Sequence, residues 1–315
     1  MPRPAGELAA PAGAAPLPPS EVLNRALLAS VFVIAACGLV YELIAAAAST
    51  YLLGDSITQF SVVIGVYLAA MGAGSYASRH VVSGIVSRFI DIELIIAVAG
   101  GFSAALMFLS FAWMGPGFRV VLYGLVVLVG FLVGLEIPLV MRILKERLGF
   151  RDLVAQVLTF DYLGALAVSI AFPLLLAPRL GLIRTAFLFG VLNAVVALWA
   201  VWPFRGQLRR PVAAAARCVA VTALLAAGFL SAERLTQLAE EQIYADQIVH
   251  AESSRGQRIV LTRWREDLRL YLNGNLQFSS LDEYRYHEAL VHPGLAALPH
   301  ARPVLALSGG DGLPV

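Results

Sequence analysis

The chain has 315 residues, of which 59% are hydrophobic and 14% charged. A soluble domain usually carries about 25% charged residues, so a single water-soluble core does not account for this composition. The net charge of +2 is too small to indicate nucleic acid as a partner. The two cysteines, Cys37 and Cys218, both lie in apolar segments, which argues against a disulfide framework and against a zinc site.

The charged residues are unevenly distributed along the chain. Residues 1–231 contain 15 Lys/Arg and 10 Asp/Glu, whereas the much shorter stretch 232–315 contains 8 and 11. The second stretch therefore has the composition of a water-soluble domain. Two solvents, lipid for the first stretch and water for the second, explain this division better than one large core.

Long apolar runs fill the first stretch after a segment rich in proline and alanine. Residues 1–24 are predicted to be a disordered tail, because such a composition buries too little surface to fold. A helix needs about 20 apolar residues to cross a bilayer, and lipid offers the backbone no hydrogen-bond partner. Residues 25–231 are therefore predicted to form a multi-pass α-helical membrane domain of six or seven spans. The predicted spans are 26–53, 60–78, 92–114, 119–141, 156–177, 184–203 and 212–231.

Basic residues predict how this domain is oriented. The loops after the second, fourth and sixth spans contain ten Lys/Arg, and those after the first, third and fifth contain three. By the positive-inside rule, the N-terminus and the basic loops face the cytoplasm. The seventh segment is alanine-rich and contains Arg217, so it either crosses the membrane or lies on its surface. The soluble part emerges outside in the first case and stays in the cytoplasm in the second.

Three acidic residues, Glu42, Glu136 and Asp161, lie inside predicted spans. A charge at the centre of a membrane costs roughly 3 kcal/mol on insertion scales, so such residues usually face the bundle interior or water. Two interpretations stay open. The three acids line a polar cavity for a cationic ligand, or Glu136 and Asp161 lie near span ends and pair with Arg142 or Arg151.

Glycines predict close contacts between the helices. Gly130 and Gly134 form a GxxxG pattern in the fourth span, and Gly65, Gly72 and Gly74 lie along the second. Small residues at these spacings let helix backbones approach one another in a membrane. Close helix packing is therefore expected at all five glycines.

The periodicity changes after residue 231. Residues 232–245 are predicted to be an amphipathic linker helix between the membrane domain and the soluble part. Residues 246–281 are predicted to be a β-strand region, in which DLRLYL and NLQF alternate and return through Leu276 and Phe278. The Asn273–Gly274 pair between them is a strong signal for a β-hairpin.

The remaining residues, 282–315, are predicted to begin a Rossmann-like nucleotide-binding domain that this chain leaves truncated. Residues 282–298 have the pattern of a helix with Asp282 as its cap. An apolar strand at 303–307 then runs into the turn SGGDG. Such a strand followed by a glycine-rich turn is typical of nucleotide-binding α/β domains, where the glycines let the backbone approach a ligand.

The soluble segments GQRIVLTRW, LYLNGNLQFSS, DEYRYHEALVH and LALSGGDG resemble those of spermidine synthases, also called polyamine aminopropyltransferases, in order and spacing. The apolar half is similar to the membrane region of a bacterial subgroup of that family, through GLVYELIAA, LGDSITQFSVVIGVYLAAMGAGS, GLEIPLVMR, and FDYLGAL with PRLGL. The resemblance implies transfer of an aminopropyl group from decarboxylated S-adenosylmethionine to putrescine or a related polyamine, giving spermidine and 5′-methylthioadenosine. The donor is a co-substrate, and neither a permanently bound cofactor nor a metal is implied.

The resemblance also implies a set of site residues. Gln257 would contact the nucleoside of the donor, and His287 and Asp311 would contact the polyamine, with Tyr286 and Gln277 beside the same pocket. The glycines of the turn that would face the donor are Gly309, Gly310 and Gly312.

No catalytic residue is expected within this chain, because the family places its catalytic base, an Asp in a later loop, at a position that would follow Val315. The full-length protein is thus expected to be an enzyme and this chain alone to be inactive. The departures from the family pattern are Ser308 and Pro314.

Two kinds of function stay open. One is a membrane-bound aminopropyltransferase, or a related transferase with a different amine or donor. The other is a polyamine-binding transporter or sensor whose synthase-like domain is not catalytic. Convergence of the three intramembrane acids on one cavity would favour this second function. The expected partners are the lipid bilayer and a polyamine, and a homo-oligomer stays open. The expected location is the inner membrane with a cytoplasmic soluble part, because the implied substrates are made in the cytoplasm.

Overall fold

The computed structural model describes residues 21–54, 56–145, 149–244, 246–253, 258–272 and 274–297. They form a bundle of long helices followed by a small sheet and one further helix. The bundle helices are α1 (Glu21–Leu53), α2 (Ser56–Ala77), α3 (Ile85–Met114), α4 (Phe118–Leu144), α5 (Phe150–Ala171), α6 (Ala177–Val201) and α7 (Pro211–Tyr244). The elements after the bundle are β1 (Gln247–Ser253), β2 (Arg258–Trp264), β3 (Asp267–Leu272), β4 (Asn275–Ser279) and α8 (Glu283–Ala296).

Six helices in the described part of the chain are long and apolar enough to cross a membrane, judged by length and composition. The prediction that the first stretch consists of long apolar helices is therefore confirmed. One of the six covers residues 151–201, and its 51 residues would extend about 76 Å if they were straight, more than twice the thickness of a hydrocarbon layer. This segment contains both α5 and α6.

The segment that contains α5 and α6 bends sharply at Gly181. Residues Phe172–Leu176 form a π-helical turn, and Gly181 has φ 74° and ψ 171°, a conformation that is essentially restricted to glycine. The hydroxyl of Thr185 donates to the carbonyl of Gly181 at 2.7 Å and lies 3.4 Å from that of Leu176. A straight helix would separate Leu176 and Thr185 by about 14 Å, so the chain folds back here and α5 and α6 are two segments.

Glycines bring α2 and α4 into backbone contact. A Cβ atom at Gly74 would overlap the carbonyl oxygen of Phe131, and one at Gly134 would overlap that of Met71. A Cβ atom at Gly72 would meet nothing within 4 Å. Close packing is therefore confirmed at Gly74 and Gly134.

The same expectation is wrong for Gly65 and Gly72, where a side chain would have free space. Gly130 completes the confirmed set, because a Cβ atom there would lie 2.9 Å from the carbonyl oxygen of Tyr67. The helix faces that carry Gly65 and Gly72 are turned away from α4, which spacing along one sequence does not reveal.

Helix α7 runs antiparallel to α6 along its whole contact. Gly228 packs on the ring of Phe187, Leu225 packs on Gly190, and Glu233 forms a salt bridge with Arg184 at 3.3 Å. The helix continues without a break to Tyr244. The predicted seventh span and the predicted separate linker helix are therefore one helix of 34 residues.

The sheet is antiparallel, with strand order β1-β2-β3-β4. Strands β3 and β4 pair from Leu272 opposite Asn275, so a two-residue turn joins them, as the hairpin signal predicts. Between Tyr271–Leu276 and Leu270–Phe278 the register shifts, and Gln277 is the extra residue of a β-bulge.

The bulge corrects the predicted alternation of β4. Residues opposite each other in a sheet point to the same face, so Leu276 shares the face of Tyr271 and Phe278 shares the face of Leu270. Neighbouring residues of β3 point to opposite faces. Leu276 and Phe278 therefore do not return on one face, because the bulge inserts one residue between them.

The sheet is attached to the ends of α7 and α1. The guanidinium of Arg258 on β2 donates from Nε and Nη2 to both carboxylate oxygens of Glu240 on α7, each at 2.8 Å. The hydroxyls of Tyr51 on α1 and Tyr244 on α7 form a hydrogen bond of 2.9 Å, and Gly274 of the β3–β4 turn lies against Tyr51. The hairpin is thereby held at the C-terminal end of α1.

Helix α8 begins one residue after Asp282, as predicted, but the predicted cap is wrong. The side chain of Asp282 makes no capping hydrogen bond and instead pairs with Nε of Arg285 at 3.0 Å. The predicted strand at 303–307 and the glycine turn lie outside the described residues, and so does the start of the Rossmann-like domain that they would form.

Replacing Gly134 with Ala is expected to destabilise the bundle by about 2 kcal/mol, because α2 and α4 must separate to admit the methyl group. Thermal unfolding in detergent measures the effect. The control is Gly72→Ala, on the facing helix in open space, which is expected to be neutral or slightly stabilising because alanine favours a helix. Equal losses in the two variants would contradict the packing described for Gly134.

Candidate functional site

The predicted substrate-binding residues are only partly within the described chain. Structure is described for His287 and Gln277 and for the backbone of Tyr286, but not for its side chain. The predicted site residues outside the described part are Gln257, Asp311, Gly309, Gly310 and Gly312. Their roles remain predictions.

His287 lies in the first half of α8 and is 9% exposed. Its Nδ1 lies 2.9 Å from the carbonyl oxygen of Glu283 and 3.2 Å from a carboxylate oxygen of the same residue. Because both neighbours are acceptors, Nδ1 carries a proton and donates. The ring is therefore oriented by its own helix through Glu283, as a residue that positions an amine would need to be.

Gln277 is the bulged residue of β4, and its side chain is exposed. A β-bulge redirects a side chain relative to the regular sheet, and bulges are frequent beside functional sites. The short segment 280–282 joins β4 to α8. The strand that carries Gln277 and the helix that carries His287 are thus consecutive, and whatever holds segment 280–282 also holds their relative position.

Asp267, at the start of β3, holds this segment and was not predicted from the sequence. Its carboxylate is 2% exposed and accepts hydrogen bonds from four donors. The donors are Nε of Arg269 at 2.7 Å, Oγ of Ser279 at 2.9 Å, Oγ of Ser280 at 3.0 Å and the amide of Leu281 at 3.2 Å. Burial by itself raises the pKa of Asp267, but these hydrogen bonds outweigh it and hold the pKa below its usual value. A single acid at the start of a strand gives no signal in the sequence that it holds a distant segment in place.

The three predicted intramembrane acids converge in the bundle. Glu42 and Glu136 are buried, with 8% and 1% exposure, and both lie near the hydroxyl of Tyr67. Asp161 on α5 lies near Glu136. The structure therefore brings the acids of α1 and α4 to one tyrosine of α2, and the acid of α5 lies near the one of α4.

The alternative in which these acids pair with arginines is not realised in the described residues. Neither Glu136 nor Asp161 forms an ion pair with Arg142 or Arg151 there. Arg142 instead donates from Nη1 to the carbonyl oxygen of Ser78 at 3.2 Å.

Glu93 on α3 is a further buried acid that the sequence analysis missed. It is fully buried and its carboxyl group lies beside that of Glu136. It has the same sequence signal as the other three, an acid within an apolar run, near the start of the third predicted span. Among the described residues, no group of three or more His, Cys, Asp or Glu side chains has the arrangement of a metal site.

Curated relatives match nearly the whole chain. It is 56% identical over 314 residues to polyamine aminopropyltransferase 1 of Ralstonia nicotianae, which covers 95% of this chain and 60% of that protein. It is 58% identical over 296 residues to polyamine aminopropyltransferase 2 of the same organism, covering 92% and 58%. This chain belongs to the polyamine aminopropyltransferase family. The family member of Leptospira interrogans is 49% identical over 293 residues, covering 93% of this chain and 59% of that protein.

The chain spans about three-fifths of the length of these polyamine aminopropyltransferases. No model of a protein family matches it, and no solved structure matches it. Because the match includes more than nine-tenths of the chain, the polyamine aminopropyltransferase assignment applies to both the helical bundle and the soluble part.

Replacing Asp267 with Asn is expected to destabilise the β3–β4 hairpin by about 3 kcal/mol, because buried donors lose a charged acceptor. Hydrogen–deuterium exchange of residues 267–281 measures the local opening. The control is Asp282→Asn, whose carboxylate is 59% exposed and whose loss should cost less than about 1 kcal/mol. Unchanged exchange in Asp267→Asn would contradict the proposed clamp.

The lowered pKa of Asp267 also predicts a dependence on pH. A carboxyl whose pKa is lower in the folded state stabilises the fold above its unfolded pKa of about 4, and loses this effect as the pH falls through the folded value. Exchange of the hairpin amides, corrected for intrinsic rates, should therefore accelerate in acid in the unmodified chain and much less in Asp267→Asn. An equal acid dependence in both would be the contrary result.

Proposed function

We propose that the protein carrying this chain is a membrane-bound aminopropyltransferase that moves the aminopropyl group of decarboxylated S-adenosylmethionine to putrescine, giving spermidine and 5′-methylthioadenosine. The observation that carries the proposal is 56–58% identity with two proteins named polyamine aminopropyltransferase. The location in a membrane is supported by six helices of sufficient length and apolar character.

The chemistry requires a positioned amine and no metal. The amine nitrogen attacks the propyl carbon next to the sulfonium, a C–N bond forms, and the C–S bond breaks. Sulfur leaves with the electron pair as the neutral thioether of methylthioadenosine, and the amine gives up a proton. His287 and Gln277 are the described residues proposed to hold the polyamine, on a helix and a bulged strand that Asp267 keeps together. The proton acceptor is proposed to lie after Val315.

We further propose that the soluble part lies on the side of the membrane opposite the N-terminus. Helix α7 runs back along α6, and its last residue, Tyr244, forms a hydrogen bond with Tyr51 at the far end of α1. The loops rich in Lys/Arg, after α2, α4 and α6, lie at the other end of the bundle, which the positive-inside rule places in the cytoplasm. This proposal differs from the expected cytoplasmic location, which required a seventh segment that does not cross. A donor made in the cytoplasm would then have to reach the other side.

A second candidate function is a polyamine transporter or sensor. Glu42 and Glu136 lie near Tyr67, and Asp161 lies near Glu136. This grouping favours a transporter or sensor, because acids and an aromatic ring are groups that attract an organic cation. Assay of the whole protein separates the two functions, since a sensor or transporter forms no spermidine.

Replacing His287 with Asn is expected to raise the KM for putrescine about tenfold or more in the whole protein, because an oriented contact with the amine is lost. The control is His292→Asn, an exposed histidine one to two turns later on the same helix, with kinetics expected to be unchanged. Spermidine formation is measured by chromatography. Absence of spermidine formation by the unmodified whole protein, in membranes with both substrates, would overturn the proposed activity.

The proposed orientation is tested with single cysteines. Glu288→Cys on α8 and Ser83→Cys between α2 and α3 are both at exposed positions, and the two native cysteines are buried. A maleimide that does not cross membranes is expected to label Glu288→Cys in intact cells and Ser83→Cys only after permeabilisation. The reverse pattern would place the soluble part in the cytoplasm.

A further inference from the structure

Two carboxyl groups face each other in the core of the bundle without a counter-charge. Glu93 on α3 and Glu136 on α4 are 0% and 1% exposed and lie side by side. Both oxygens of Glu93 and Oε1 of Glu136 have no hydrogen-bond partner in the described part of the chain. No Lys or Arg among the same residues forms a salt bridge with either of them.

A buried phenol on α1 lies close to the same pair of carboxyl groups. Tyr41 is 3% exposed, and its ring packs on Gly100 of α3, where any side chain would displace it. Its hydroxyl has no hydrogen-bond partner among the described residues and lies near the carboxyls of both Glu93 and Glu136. The phenol is therefore an unpartnered polar group close to the acid pair.

An amide lies at the same level on α6. Gly190 packs on the carbonyl of Ala97 and on Gly101, and α6 runs antiparallel to α3. Because the helices are antiparallel, one turn towards the C-terminus of α6 corresponds to one turn towards the N-terminus of α3. Asn193 therefore lies at the level of Glu93. Asn193 is 1% exposed, and both its side-chain atoms lack a partner in the described residues.

Two adjacent carboxylates in an apolar interior cannot both stay ionised without a counter-charge, because neither water nor an arginine offsets their repulsion. One proton held between them removes one charge and creates a strong hydrogen bond between an acid and a carboxylate. A proton also needs no cavity, which suits side chains that are at most 3% exposed. An organic cation would have to open the bundle to reach them.

We propose that Glu93 and Glu136 form a proton-binding site in the core of the helical bundle, beside the hydroxyl of Tyr41. The site is separate from the soluble part and goes beyond aminopropyl transfer. It consists of groups from α1, α3 and α4, so binding or loss of the proton changes the contact between these helices.

Other polar groups surround the site on the neighbouring helices. α1 and α2 contribute titratable side chains near the pair, α5 contributes an acid near Glu136, and α6 contributes an uncharged amide. The salt bridge between α3 and α7 is partly exposed and lies outside the pair. These groups are Cys37, Glu42, Tyr67, Asp161, Asn193, and Asp91 with Arg217.

Infrared difference spectroscopy of the full chain in detergent tests the site, because a protonated carboxyl has a carbonyl band that a carboxylate lacks. The band is expected around neutral pH in the unmodified chain and in the control Glu233→Gln, a partly exposed glutamate of α7. It is expected to shift in Glu93→Gln and in Glu136→Gln, because the partner of the remaining acid becomes an amide, and to disappear in the double variant.

The single variants keep the test decisive if the double variant does not fold. A carbonyl band that is unchanged in position and intensity in both single variants, or that is absent from the unmodified chain, would overturn the proposal. The band is also recorded with propylamine, a small organic cation, added in excess. Its loss on addition of the amine would show that the pair binds an organic cation, and would likewise overturn the assignment to a proton.

Discussion

The interior of a helical bundle offers polar groups no water, and the arrangement of α1 to α7 follows from that constraint. Backbone groups satisfy one another within α1 to α7. Several buried serine and threonine hydroxyls of these helices donate to carbonyls of their own helix three or four residues earlier. Examples are Ser49 to Ala46, Ser103 to Gly100, Ser110 to Met107 and Thr185 to Gly181. Against this background, the unpartnered groups of Glu93, Glu136, Tyr41 and Asn193 form an exception, and exceptions of this kind concentrate where a protein binds something.

The same constraint explains how the sheet is attached. Glu240 is 5% exposed in its side chain and Arg258 is 22% exposed, so neither would be tolerated alone at the end of the bundle. Their two parallel hydrogen bonds satisfy both groups and fix an angle as well as a distance, because the guanidinium and the carboxylate are planar. The continuous helix α7 therefore carries the soluble part, and its direction decides the end of the bundle at which the soluble part lies.

Much of the soluble part could be predicted because its signals are local. The Asn273–Gly274 turn and the helix after Asp282 depend on residues that are neighbours in sequence. The bulge at Gln277 and the clamp at Asp267 could not be predicted in this way. A bulge is a mismatch between two strands, and Asp267 collects donors from residues 279–281. Both are properties of a pair of segments rather than of either one.

The amino-acid order alone determined the division into an apolar and a charged stretch, the approximate positions of the apolar helices, the hairpin, and the family resemblance that the relatives confirm. These features depend on composition and short-range periodicity, which can be read from the sequence without knowing the fold. Only the tertiary structure decided which glycines touch another helix, that α7 is unbroken and antiparallel to α6, and that Glu93 faces Glu136. Those facts depend on how each helix is rotated about its axis and on which neighbour it meets, and a single apolar sequence is nearly the same on every face.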